Sequence, residues 1–239
     1  MNITAIENNF GAQDITLRAY LSERMVILEG IIPVDTSSTL YQSADSLVLT
    51  FDTEFPFRLS SMSAAVLASG DGMDCYATLL PCAIGQSRNL TLHKLPVYDR
   101  RENVRIYLNT AFSQPGVTAL LGEGEPLPLT AKQDGTRTVP LMRHYTDRIE
   151  QGWAYLAGVF SEQSFRADRE NSFTLEGFPE DINTCLPIFT SDFDADRAPG
   201  TRIYAARLSS GVLTFNPGDI NAYDRQREAF MSAFFVREG

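Results

Sequence analysis

The chain has 239 residues, enough for one large domain or two of ordinary size, and its 44% hydrophobic and 21% charged residues form a globular composition rather than a disordered one. With 30 acidic against 20 basic residues the net charge is −10, which opposes nucleic-acid backbones and anionic membrane surfaces as partners. Cys75, Cys82 and Cys185 are odd in number and lack Cys-x-x-Cys spacing, so they exclude a disulfide framework and read as small buried residues of a reduced compartment.

The first residues, Met1-Asn2-Ile3-Thr4-Ala5-Ile6-Glu7, lack the basic region and apolar run of a signal peptide, so the expected site of synthesis is the cytoplasm. No apolar run approaches a membrane span in length. Ile15 to Tyr20 and Met25 to Ile32 read as strands, rich in apolar and β-branched residues, with Pro33 expected to end the second. A Ser/Thr-rich loop from Asp35 to Ser38 leads to Leu47-Val48-Leu49-Thr50-Phe51, whose length suits a strand. Phe55-Pro56-Phe57 interrupts, because proline cannot continue a central strand. Met62 to Ala68, a Gly70-Asp71-Gly72 turn, Cys75 to Leu80 and Leu90 to Leu92 follow. Val104 to Leu108, with alternating polar and apolar residues, closes the first unit.

Between Gln114 and Pro140 the texture changes to Pro/Gly punctuation, which marks a linker. The expected organisation is a first domain over 1–113, a linker over 114–140 and a second domain over 141–239. In the second unit the clearest strand is Trp153 to Phe160, apolar on both faces. Phe173 to Leu175 and Cys185 to Thr190 come next, separated by Gly177-Phe178-Pro179. Arg202 to Leu208 and Val212 to Phe215, joined by Ser209-Ser210-Gly211, form the best hairpin. Helical signal is thin: His144 to Gln151 or Ala222 to Glu228 would supply a turn or two.

The two halves echo each other. Tyr98-Asp99-Arg100-Arg101-Glu102 has a near-twin at Tyr223-Asp224-Arg225-Gln226-Arg227-Glu228, each leading into an apolar strand. Leu28-x-Gly30 recurs as Leu156-x-Gly158, and Tyr76-Ala77 as Tyr204-Ala205, in the same order. Ordered anchors with small drift are what loop insertions between copies of one unit produce. The expected fold is therefore all-β, two tandem and similar β-sandwich domains of jelly-roll type. Tyr98 and Tyr223 read as structural corner residues, with Asp99-Arg100 and Asp224-Arg225 as polar turns beside them.

Chemistry is sparse in the sequence. His93 and His144 lie in different halves with no Gly-x-Ser-x-Gly elbow, and zinc, phosphate-loop and dinucleotide motifs are absent. The expectation is a chain with no catalytic residues, metal or cofactor. Asp192-Phe193-Asp194-Ala195-Asp196 begins as calcium loops do, but its sixth position is Arg197 and its twelfth Ile203. Asp71 and Asp74 occupy the corresponding place in the first half, so Asp71, Asp74, Asp192, Asp194 and Asp196 form the binding candidates, for a cation or a sugar hydroxyl; a solvated turn is the simpler reading. Glycoside hydrolysis needs only two carboxylates, and nothing selects which two.

The series Trp153 to Gly158, Phe173 to Pro179, Arg202 to Leu208 and Gly211 to Phe215 resembles the β-sandwich tip modules of bacteriophage tail fibres and baseplate receptor-binding proteins, with a looser echo over residues 24–92. The long fibrous shaft such fibres often carry is not in this sequence. The resemblance implies a non-enzymatic virion component made without a secretion signal. It would be a homo-oligomer, often a trimer, binding a host-surface glycan or a neighbouring virion protein, or else a head-decoration or tail-adaptor protein. The alternative is a carbohydrate-binding module or carbohydrate-active enzyme of a bacterium.

Overall fold

The computed structural model describes residues 1–69, 77–85, 87–94, 104–114, 130–133, 137–138, 146–150, 152–161, 170–192, 200–215 and 226–237. Strands β1 (Asn2–Asn8), β2 (Thr16–Leu21), β3 (Met25–Val34), β4 (Ser46–Phe51), β5 (Leu59–Ser69), β6 (Ala77–Ile84), β7 (Asn89–His93) and β8 (Val104–Ser113) build the first unit. The second holds β9 (Thr130–Gln133), β10 (Arg137–Thr138), β11 (Thr146–Glu150), β12 (Trp153–Ser161), β13 (Asn171–Glu176), β14 (Asn183–Asp192), β15 (Gly200–Ser209), β16 (Val212–Phe215) and β17 (Gln226–Val236). The only helix among the described residues is α1, Thr39–Ser43. The all-β expectation holds, and the strand pairs are antiparallel.

In the first unit the strands close edge to edge in the order β1-β2-β3-β8-β5-β6-β7-β4. This is two Greek keys: β3 and β4 flank β1-β2, and β8 returns to lie beside β5 of the β5-β6-β7 meander. The alternation of the sequence decides which side faces in. Leu47, Leu49 and Phe51 of β4 are buried while Ser46, Val48 and Thr50 are half-exposed, and they meet Leu17, Leu28, Leu90, Leu92, Leu108 and Phe112 in one core.

The second unit is a nine-stranded sheet, β10-β9-β13-β16-β15-β14-β17-β12-β11. Read from β11, its order β11-β12-β17-β14-β15-β16-β13-β9 matches β2-β3-β8-β5-β6-β7-β4-β1 strand for strand. Smaller features coincide too. Ser87 and Ser210, each in the turn before the equivalent strands β7 and β16, both have positive φ, 44° and 50°. Phe55 and Phe178, each followed by proline after the equivalent strands β4 and β13, are both buried. Phe51 N–H donates to the Arg88 carbonyl at 2.9 Å, as Leu175 N–H does to Gly211 at 2.7 Å.

Several expectations need correction. Strands β9 and β10 fall inside the stretch read as a linker, and β9 pairs with β13 along Thr130–Gln133. Residues 146–150 are strand β11 and Gln226 opens β17, where short helices were considered; in both, pairing with β12 overrides a weak local preference. Pro33 does not end its strand. β2 accompanies β3 only as far as Glu29, so among the described strands β8 is the single neighbour at Pro33 and a missing N–H on the other side costs nothing. The Ser/Thr-rich loop ends in a helix because Ser38 Oγ accepts from Tyr41 N–H, and Lys94 Nζ donates to the carbonyls of Tyr41, Gln42 and Ala44 at its far end. The ladders also align Tyr204 with Leu80 and Ala205 with Pro81, four residues along β6 from Ala77; Tyr76 lies outside the described residues.

Candidate functional site

Most of the sequence candidates fall outside the described residues: Asp71, Asp74, Asp194, Asp196, Tyr98, Asp99, Arg100, Tyr223, Asp224 and Arg225. Asp192 is the last residue of β14, paired with Gly200 and Gln226. The strand ends show where the flanking chain leads. Ser69, after which the first acidic segment begins, pairs with Val104, two residues past the end of the first Tyr-Asp-Arg segment. At the corresponding strand end of the second unit Asp192 stands against Gln226, which is itself part of the second Tyr-Asp-Arg segment. His93 is exposed at the end of β7, and His144 lies outside the described residues.

The site that the described residues do assemble lies between the two units. The outward face of β3 carries Met25, Ile27 and Glu29, and Met25 and Ile27 pack with Trp153 of β12 and Val236 of β17. Tyr20, Ala111, Tyr155 and Phe234 complete this cluster. The rings of Trp153 and Phe234 lie 6.0 Å apart, and those of Tyr155 and Phe234 4.6 Å apart. Trp153, on a strand the sequence shows as apolar on both faces, therefore has its cover inside the same chain.

Beside the apolar cluster sits a polar clamp. Arg18 and Glu29 are ladder partners on β2 and β3, with Nη1 and Oε1 3.7 Å apart. Val236 N–H donates to Glu29 Oε2 at 2.7 Å, and its carbonyl accepts from Arg18 Nη2. Both polar groups of one peptide residue are thus satisfied by side chains of the other unit, as a neighbouring strand would satisfy them. Glu29 is only 2% exposed. Burial pushes its carboxyl up to about 7, against the lowering effects of the Val236 N–H and the Arg18 charge.

Further contacts continue the interface. Asn109 Nδ2 donates to Thr184 Oγ1 at 3.1 Å; within the second unit, Arg237 Nη2 lies 4.0 Å from Asp181 Oδ1 beside the clamp. Tyr107 and Cys185 are hydrogen-bonded across it, and burial holds the phenol and the thiol above their ordinary ranges. The other described cysteine, Cys82, lies in the first core, where burial pushes its thiol up to about 12. A thiol held so high stays protonated and unreactive at neutral pH.

Gly152 closes the set. Its φ is +92°, and a Cβ there would come within 2.9 Å of two Tyr20 ring atoms. Gly152→Ala is therefore expected to cost about 1–3 kcal/mol in chemical denaturation, from backbone strain and the ring contact together. The loss should shrink in a Tyr20→Ala background, because the ring is half of the obstruction.

Sequence reasoning missed Arg18, Glu29 and Val236. The available signal was Glu29 itself, a lone carboxylate in the apolar run Met25-Val26-Ile27-Leu28-Glu29-Gly30-Ile31-Ile32, on the same side of the strand as Ile27 and Ile31.

Comparison with protein-family models, with curated proteins and with solved structures finds no match to this chain.

Proposed function

We propose that the two units are tandem copies of one β-sandwich-like module, a flattened double Greek-key barrel, and that the chain is a non-enzymatic, phage-type structural protein. Its role is to bind a host-surface glycan or a neighbouring virion protein and to assemble as a homo-oligomer. The observation that supports this most is the recurrence of one strand order, with acidic segments at the same connection of each unit: 71–74 between β5 and β6, and 192–196 from the end of β14 toward β15. Two copies of one acidic segment in a single chain favour two-point binding, where the second contact forms at high effective concentration. Catalysis instead rewards reacting groups that converge in a single cleft.

The test is glycan-array binding by the purified chain, followed by an assay for sugar release, together with inspection of the neighbouring genes. Binding without turnover, among capsid and tail genes, supports the reading. Released sugar, or a setting of transporter and hydrolase genes, overturns it in favour of carbohydrate processing.

A further inference from the structure

We propose that the two units meet through the same face of each, related by a local two-fold axis, so that the partner this face fits is a second copy of the module, supplied here within one chain. The inference rests on the tandem-copy part of the functional reading and not on a virion role.

Ladder registers make the equivalences explicit. Met25 opens β3 as Trp153 opens β12, with Leu28-x-Gly30 and Leu156-x-Gly158 in step behind them. Ile27 then corresponds to Tyr155. Met25 pairs with Ser113 and Trp153 with Val236, so Ala111 of β8 corresponds to Phe234 of β17. Met25 and Trp153, Ile27 and Tyr155, Ala111 and Phe234 all belong to one cluster. A surface in which each residue meets the counterpart region of its own twin is isologous, the arrangement of a two-fold dimer. Two strand contacts lie on the axis, β8 with its equivalent β17 and β6 with its equivalent β15, while β3 and β2 against β17 and β8 against β14 mark where the relation is only approximate.

The two copies of the face differ in size. The first offers Met25, Ile27 and Ala111, and the second Trp153, Tyr155 and Phe234. Pairing first with second sets large rings against small side chains. Pairing two first faces leaves voids, and pairing two second faces crowds six rings together, both unfavourable. The polar clamp is one-sided as well. Ala157 and Thr146, ladder partners, stand where Glu29 and Arg18 stand in the first unit. Divergence has thus fitted a self-associating face to its companion in the same chain.

The test is to exchange side chains across the axis in the full chain. Ala111→Phe crowds the cluster and Phe234→Ala empties it, and each alone should lower Tm by roughly 5–10 °C. The double variant, Ala111→Phe with Phe234→Ala, moves the ring to the position related by the two-fold axis, keeps the volume of the cluster, and should recover most of that loss, with the mass in light scattering unchanged. A gentler exchange, Ile27→Tyr with Tyr155→Ile, covers the case in which the phenylalanine variants fail to fold. If neither double variant is more stable than its worse single parent, the two-fold relation is wrong. That result would leave glycan binding and gene setting untouched, so it is separable from failure of the functional reading.

Discussion

Replacing Glu29 by Gln should raise stability at pH 8 and flatten its dependence on pH between about 4.5 and 7. The carboxyl titrates near 7 in the folded chain against an ordinary value of 4.5. Below 4.5 it is protonated in both states and contributes no slope. Between the two values only the folded state holds the proton, so stability falls as pH rises, and above 7 the loss is complete. Two and a half pH units of displacement correspond to something on the order of 3 kcal/mol. Gln keeps an acceptor for the Val236 N–H without a charge to desolvate, so it mimics the protonated acid at every pH. Denaturant unfolding of both proteins from pH 4.5 to 8 checks this, with all other groups cancelling in the difference. Parallel curves for the two proteins would show that Glu29 does not titrate in this window.

The largest single loss is expected from Trp153→Ala. Trp153 is 3% exposed and packs against Met25 and Ile27 of the first unit and Val236 of its own. Deleting a buried Trp side chain costs about 3–5 kcal/mol. What makes the prediction specific is where the loss falls. Each unit has its own core, around Phe51 and Phe112 in one and Phe173, Phe215 and Phe235 in the other. Those cores do not depend on Trp153, so the variant should keep its β-sheet circular dichroism while the units separate, seen as a larger radius of gyration in small-angle scattering. An unchanged radius with a stability loss below about 1 kcal/mol would contradict a docking role for this residue.

Much of the strand pattern was legible because burial on one side of a strand imposes a period of two. Leu47, Leu49 and Phe51 announce β4 in this way. The β15–β16 hairpin was legible for a second reason: Ser210 and Gly211 both adopt positive φ, 50° and 72°, which a two-residue turn of matching twist requires. Strand β11 was not, since Thr146-Asp147-Arg148-Ile149-Glu150 is a mostly polar stretch with a single neighbour among the described strands and little apolar rhythm. Closure of the first ring was hidden for a different reason. Which edges join, as β1 and β4 do through Ala5 and Phe51, depends on pairings between distant residues that no local window contains.

The candidate site divides along the same line. The apolar double face of Trp153 to Phe160 was readable, and so was its need for cover. That the cover would be Met25 and Ile27 was not, because any apolar surface of suitable shape serves equally in a sequence. The clamp was hidden further still. It acts on backbone atoms of Val236, which carry no residue identity, and its only trace is an acidic residue out of place among aliphatic ones.

The clamp joins residues 207 positions apart, and this has a consequence during translation. The first barrel has all its strands once Ser113 has emerged from the ribosome, yet the strand that shields its outer wall is β17. At roughly 5–20 residues per second, the interval from Ser113 to Val236 lasts on the order of ten seconds. For that time Met25 and Ile27 face solvent beside a Glu29 that has Arg18 but still lacks the Val236 N–H, a sticky surface on an otherwise finished barrel. Nascent chains on adjacent ribosomes present the same wall to one another, so chaperone occupancy during synthesis should peak after the first barrel closes and fall when β17 arrives.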